Sequence, residues 1–151
     1  EDAYEDGIKY KNIVDALVEF EKAVLSVDSP FDEYMAGKED AVDSEAKKGF
    51  ETFKKIGCVA CHNGRNLGGN LMQDVDRKDL TENRRLLRVP SLRNVTRTAP
   101  YLSGGNMNDL KEMIRYISAM QLQHPLSDEE LGQIYKFLQT LNGRRPRILN
   151  E

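Results

Sequence analysis

The sequence predicts an all-α fold, with one main domain and an additional N-terminal helix. Apolar residues recur at spacings of three and four in four separate segments, which is the period of an amphipathic helix. No segment shows the alternation of a strand, and no internal repeat is present. The length of 151 residues suits a single hydrophobic core. These observations together favour a helical domain.

The first helix is predicted over residues 10–25. Its apolar stripe consists of Ile13, Leu17, Phe20 and Val24. The pair Ser29-Pro30 ends this helix and begins a connector, in which we expect one helical turn at residues 31–35.

The second helix is predicted to begin at Ser44, whose hydroxyl would cap its N-terminus, and to stop at Gly57. After it, residues 63–101 show no sustained period and contain several glycines and prolines. A long irregular segment in a small domain is unusual unless it wraps something. We therefore expect this segment to cover a bound group.

Two further helices complete the prediction. The third follows Asn106 or Asn108, either of which would be its N-cap. The last has the clearest start, with Ser127 as N-cap and Glu130 three residues later as the partner in a capping box. Gly143 is expected as its C-terminal cap.

The motif Cys58-Val59-Ala60-Cys61-His62 contains both cysteines and one of the two histidines. Cys-x-x-Cys-His is the attachment signature of c-type haem, in which two thiols form thioethers and the histidine binds iron. The spacing of about one helical turn lets both sulfurs reach neighbouring edges of the porphyrin, while the next residue lies under the metal. The sequence therefore predicts one covalently attached haem c, anchored by Cys58 and Cys61, with His62 as the proximal ligand.

Three other readings of the motif compete. A thioredoxin-like site would follow a strand, and no strand is predicted before Cys58. A structural zinc site needs four ligands, and only His124 remains as a further Cys or His. A disulfide between Cys58 and Cys61 would close a very short loop and restrain little chain entropy. Haem attachment is favoured over all three.

The sixth iron ligand decides the chemistry, because a methionine thioether favours electron transfer whereas a vacant position admits small molecules. The candidates are Met72, Met107, Met113, Met120 and His124. Met113 lies on an apolar helix stripe, where a methionine is usually core filler. Met120 lies where that helix should end, so we predict Met120 as the distal ligand.

Composition excludes several classes of function. The net charge of −3 argues against a nucleic-acid binder, and no apolar run is long enough to span a bilayer. The acidic start shows no targeting segment, so the sequence reads as a mature or trimmed chain. Because covalent haem attachment occurs in the bacterial periplasm or in organelles, we expect an exported, periplasmic protein.

Four segments resemble the C-terminal haem domain of the bacterial di-haem cytochrome c peroxidases, which are related to the methylamine-utilisation enzymes. They are VEFEKAVLSVDSPFDEYMAGKEDA, GCVACHNGRNLGG, VPSLRNVTRTAPYLSGG and LSDEELGQIYKFLQTLNG. The resemblance implies a class I cytochrome c fold over residues 44–151. Residues 1–43 would be an N-terminal helix and connector that pack on the haem domain.

Two departures limit what this resemblance implies. The family has two haem domains and reduces peroxide at the N-terminal haem, whereas this sequence has one Cys-x-x-Cys-His and no such N-terminal domain. The family's distal methionine or tyrosine, seven residues after the match to Leu110, is here Ile117. Isoleucine does not bind iron. Either Met113 or Met120 therefore takes its place as the distal ligand, or the iron is five-coordinate. Tyr116 is adjacent but would point about 100° away on a regular helix.

The resemblance also bears on two other sites. The family's calcium uses backbone carbonyls that match Thr98 and Pro100 together with a ligand from the missing domain, so no bound calcium is expected. Arg93 matches a family arginine and is predicted near a haem propionate, where its charge would be offset. Surface ion pairing is the alternative for Arg93.

The predicted function is single-electron transfer by a periplasmic mono-haem c-type cytochrome with a redox partner protein. It is more an electron-transfer protein than a self-sufficient peroxidase. One alternative is a five-coordinate haem site with peroxidase or gas-binding activity, although no distal acid–base group is apparent. Another is a haem subunit of a larger redox complex, with oligomer contacts through the N-terminal helix.

Overall fold

The computed structural model describes residues 3–75 and 85–149. It contains five α-helices within these ranges: α1 Tyr10–Ala23, α2 Pro30–Met35, α3 Ser44–Ile56, α4 Leu110–Gln121 and α5 Asp128–Gln139. Short 3₁₀ turns lie at Glu39–Ala41, Cys58–Ala60, Val95–Arg97 and Arg147–Leu149. The predicted all-α class is confirmed. None of the described helices is both long enough and apolar enough to cross a membrane.

A small sheet corrects the expectation that the chain contains no strand. Strands β1, Met72–Val75, and β2, Arg85–Arg88, pair antiparallel with Met72 opposite Arg88. Each strand is only four residues long, too short for alternation to be recognised. The strands lie within the predicted irregular segment, part of which, residues 76–84, is outside the described residues.

The chain divides into two compact units. One combines residues 1–27 with residues 144–151, and the other is residues 28–143. In the first unit, Ser26 Oγ donates to the carbonyl of Arg144, and the Arg144 amide donates to the carbonyl of Val27. The predicted domain boundary between residues 43 and 44 stays a prediction.

The helix ends confirm some predicted caps and correct others. Gly57 ends α3 with a left-handed φ of 104°, which glycine adopts without strain. Ser127 and Glu130 form the predicted capping box of α5. However, α3 is capped by Asp43, which accepts from the Ala46 amide, so Ser44 is its first helical residue.

Two other cap predictions were wrong. The N-cap of α4 is Asp109, which directly precedes the first helical residue, Leu110, and accepts from the Glu112 amide. Its negative charge also suits the positive end of the helix. Helix α5 has its C-cap at Thr140, before Gly143. The Gly143 amide instead donates to Asn94 Oδ1.

Helices α3 and α5 cross at close range and form the centre of the residue 28–143 unit. A Cβ atom added to Gly49 of α3 would lie 1.9 Å from the backbone oxygen of Gln133 in α5. Glycine is therefore required at this crossing. Phe31, Phe53 and Phe137 pack around it with ring centroids about 5 Å apart and are buried, so burial of aromatic surface stabilises the unit.

Candidate haem-binding site

The Cys-x-x-Cys-His motif begins directly after α3. The left-handed Gly57 turns the chain, and Cys58 starts a 3₁₀ turn that ends at Ala60. The amides of Cys61 and His62 both donate to the carbonyl of Cys58, at 3.3 and 2.9 Å. These bonds hold the two cysteines and the histidine on a single tight turn, as the motif spacing predicted.

Both thiols are free in the structure. Burial raises the pKa of Cys58 to about 11, so this thiol is protonated at neutral pH. No metal site formed by three or more Cys, His, Asp or Glu side chains exists among the residues that the structure describes. Neither thiol is used in a disulfide, so both are chemically available for thioether bonds.

The imidazole of His62 is held by backbone groups. Its Nδ1 lies 3.2 Å from the carbonyl oxygen of Leu67. Because a carbonyl only accepts, this hydrogen bond requires a proton on Nδ1, and in the tautomer protonated there alone Nε2 keeps its lone pair. Burial lowers the pKa of His62, while hydrogen bonds to the backbone of Leu67 and Pro90 act in the opposite direction. The ring is thus kept neutral.

This donor set fits a c-type haem. Two free thiols lie on one turn, and the next residue offers a neutral nitrogen whose other ring nitrogen is already bonded, the usual arrangement of a metal-binding histidine. The Phe53 ring lies 6.4 Å from the His62 ring, centroid to centroid, on the side of the hydrophobic core. Cys58, Cys61 and His62 would hold the group, and their roles as anchors and ligand stay a prediction.

A loop wraps the proximal side of this site. At Gly68, φ is +135° and an added Cβ would lie 2.1 Å from the carbonyl oxygen of Pro90, so only glycine permits this approach. The Gly69 amide also donates to the carbonyl of Val89, at 2.8 Å. The loop after His62 is therefore packed tightly against residues 89–93.

The candidate distal ligands lie in different environments. Met120 is 65% exposed, whereas Met113, two turns earlier on α4, is partly buried and packs against the hydrophobic core. Met107 also packs against the core, and Met72 is exposed on β1. His124 Nε2 lies 3.3 Å from a carboxylate oxygen of Glu130. These residues therefore differ in exposure and contacts, and the identity of the distal ligand stays a prediction.

Arg93 has a role that sequence reasoning did not specify. Its Nη1 and Nη2 donate to the two carboxylate oxygens of Asp32, and Nη1 also donates to Ser29 Oγ. Nε and Nη2 both donate to the carbonyl of Arg65. These five bonds use all five N–H groups of a guanidinium. The ion pairing named as the alternative is present, and the predicted propionate contact stays a prediction.

Comparison with known proteins agrees with this site. The family model for cytochrome c matches residues 46–142, more than half of the chain, and the model for di-haem cytochrome c peroxidase matches residues 1–40. A solved structure of a MauG-like protein associated with microbial copper homeostasis superposes with a TM-score of 0.69 over 95% of this chain and 60% of that one. At 23% identity, it supports the fold alone.

Curated relatives carry the same resemblance. Cytochrome c peroxidase Ccp of Escherichia coli (strain K12) is 36% identical over 94% of this chain and 35% of its own length. Cytochrome c551 peroxidase of Pseudomonas aeruginosa is 32% identical over 93% of this chain and 46% of its own. The methylamine utilization protein MauG of Methylophilus methylotrophus is 29% identical over 95% and 50%.

The chain thus spans half or less of the length of these relatives. The cytochrome c match covers the motif, α3, α4 and α5 together, and the relatives extend the similarity over nearly the whole chain. The chain therefore belongs to the cytochrome c family and is related to the di-haem cytochrome c peroxidases and MauG proteins.

Proposed function

We propose that this chain is a periplasmic c-type cytochrome that carries one haem and transfers single electrons to or from a redox partner protein. The proposal rests on the imidazole of His62, which directly follows Cys61 in the motif. Its Nδ1 is hydrogen-bonded to the backbone, and both thiols of the motif are free. When bound, haem supplies the change between ferric and ferrous iron. The protein's own residues hold the group and set its environment.

The surroundings of His62 suit electron transfer. The ring is partly buried and lies beside that of Phe53, and its Nδ1 is hydrogen-bonded to a carbonyl. A rigid, apolar ligand environment reduces the rearrangement that accompanies a change of charge on the iron. The surroundings of His62 thus favour electron transfer over a reaction that makes or breaks bonds at the iron.

For the distal position, the structural environment favours Met113 over the predicted Met120. A thioether ligand must face the porphyrin in the interior, and Met113 packs against the core whereas Met120 is 65% exposed. We accordingly assign Met113 as the candidate ligand. The partly buried Ile117, one turn further along α4, supports the competing possibility of a five-coordinate haem that binds peroxide or a gas.

Absorption spectra of the haem-loaded chain separate these functions. Electron transfer with methionine ligation predicts a low-spin ferric spectrum with a methionine-to-iron charge-transfer band, and no carbon monoxide binding by the reduced protein. Met113→Ala should abolish that band, whereas Met120→Ala, as the matched control, should preserve it. A high-spin ferric spectrum with rapid carbon monoxide binding would instead establish the five-coordinate alternative.

The N-terminal helix bears on the proposed partner. Ile13, Leu17 and Phe20 of α1 are each about half exposed, as expected for a face that contacts another subunit or partner protein. Membership of a larger redox complex, or oligomerisation through this helix, is a prediction that native mass spectrometry tests. A strictly monomeric species at all concentrations would contradict an oligomer through α1.

A further inference from the structure

A row of hydrogen bonds joins the loop after His62 to residues 91–93. Three consecutive loop carbonyls accept hydrogen bonds from this segment, and the first of them, that of Arg65, accepts two from Arg93. The pairs are Arg93 Nη2 to Arg65 at 2.7 Å, Ser91 Oγ to Asn66 at 2.7 Å and the Leu92 amide to Leu67 at 3.2 Å. The loop backbone is thus fixed at three successive residues.

The third of these carbonyls is also an acceptor for His62, whose ring additionally hydrogen-bonds the backbone of Pro90, the residue directly before Ser91. The oxygen of Leu67 receives both the Leu92 amide and Nδ1 of His62, each at 3.2 Å. A carbonyl oxygen has two lone pairs, so it accommodates both donors. Because the loop is short, displacement of the Arg65 carbonyl would move the Leu67 carbonyl and change the hydrogen bond to His62.

Arg93 links this loop to the connector, because its guanidinium also binds Asp32 there. Its guanidinium forms a bidentate ion pair with Asp32 at 2.6 and 3.0 Å, and its side chain is only 18% exposed. Asp32 is itself fixed by the capping box of α2, in which it bonds both the hydroxyl and the amide of Ser29. Such a fork is rigid and geometrically specific. The connector therefore determines where the Arg65 carbonyl lies.

We propose that Arg93 is a positioning residue for His62, acting through the Arg65–Leu67 loop to set the strength of the Nδ1–H···O bond. This inference rests on the proposed function, because the consequence appears at the iron. A strong bond from the second nitrogen makes a histidine a more basic ligand, which favours ferric iron. Loosening the loop weakens that bond and raises the reduction potential.

The sign of the change distinguishes this role from a simple charge effect. Arg93→Gln removes a positive charge, which on electrostatic grounds alone stabilises ferric iron and lowers the potential. A direct contact between Arg93 and a haem propionate predicts the same decrease. Positioning predicts an increase, equivalent to about a tenfold larger equilibrium constant for one-electron reduction, or about 59 mV.

The experiment is spectroelectrochemical titration of the haem-loaded chain. Arg93→Gln should raise the potential, whereas Arg97→Gln, which removes the same charge from an exposed residue four positions away, should leave it unchanged or lower it slightly. Ser91→Ala removes one loop bond without any charge change and should raise the potential by a smaller amount. It also keeps the test decisive if Arg93→Gln loses haem.

A second readout follows the hydrogen bond itself. In proton NMR, the Nδ1–H resonance of His62 should exchange with solvent at least several-fold faster in Arg93→Gln and Ser91→Ala than in the wild type. A potential that falls in Arg93→Gln and stays constant in Ser91→Ala, with unchanged Nδ1–H exchange, would overturn the positioning role. Absence of haem from the wild-type chain would instead refute the proposed function.

Discussion

Replacing Gly49 by alanine tests the close crossing of α3 and α5. An added Cβ would lie 1.9 Å from the oxygen and 2.6 Å from the carbon of the Gln133 carbonyl, and 3.0 Å from Cβ of Phe137. Because the main obstacle is backbone, no side-chain rotation relieves the overlap. The helices must therefore separate, which loosens the aromatic packing between Phe53 and Phe137.

Two opposing effects set the magnitude. Overpacking of a core costs about 1–3 kcal/mol, and this site belongs at the upper end because the obstacle is rigid. Alanine regains about 1 kcal/mol of helix propensity relative to glycine. We expect Gly49→Ala to lower the free energy of unfolding by about 2 kcal/mol, with a fall in Tm of about 4–8 °C.

Urea unfolding of the haem-loaded chain, followed by far-UV circular dichroism, measures this loss. Gly132→Ala on α5 is the matched control, because nothing lies within 4 Å of its added Cβ. We expect that variant to be unchanged or stabilised by up to about 1 kcal/mol. Equal stability of Gly49→Ala and wild type would refute the close crossing.

Three further predictions concern charge, thiol chemistry and capping. Partial burial acts to raise the pKa of Asp32, but hydrogen bonds from Ser29 and Arg93 outweigh it and hold the pKa below its usual range. Asp32→Asn should therefore cost about 1 kcal/mol at pH 7, and the difference from wild type should vanish in urea titrations as pH falls below about 4. In the haem-free chain at pH 8, the raised pKa of Cys58 should make its alkylation slower than that of free cysteine, as peptide mass spectrometry would show, and equal rates would contradict the burial. Ser127→Ala should lower the free energy of unfolding by about 1 kcal/mol through loss of the capping box, and an unchanged urea midpoint would contradict this.

Sequence patterns predicted the helices because each one buries an apolar stripe whose period is visible in the residue order. Caps were predictable where one residue type stood alone at the boundary, as Ser127 and Gly57 did. Where several capping residues were adjacent, as at the start of α3 and α4, three-dimensional geometry selected Asp43 and Asp109. The four-residue strands were missed because so few residues establish no period.

The haem site also combines features that the sequence predicts with features that it does not. The side chains that would attach the group form a contiguous motif, so their roles could be inferred from spacing alone. The groups that orient His62 are backbone carbonyls, and a carbonyl has no side-chain signature in a sequence. The contacts of Arg93 with Asp32 and Arg65 join residues that are 61 and 28 positions apart. Only folding brings such residues together.

Covalent attachment of haem through Cys58 and Cys61 can be measured by intact-protein mass spectrometry after maturation in a host that attaches haem c. Covalent attachment predicts a single species whose mass exceeds the polypeptide mass by one haem under denaturing conditions, with no thiol of Cys58 or Cys61 available for alkylation. Cys58→Ala with Cys61→Ala should yield the bare polypeptide mass. An unmodified wild-type chain with two reactive thiols would contradict covalent haem attachment.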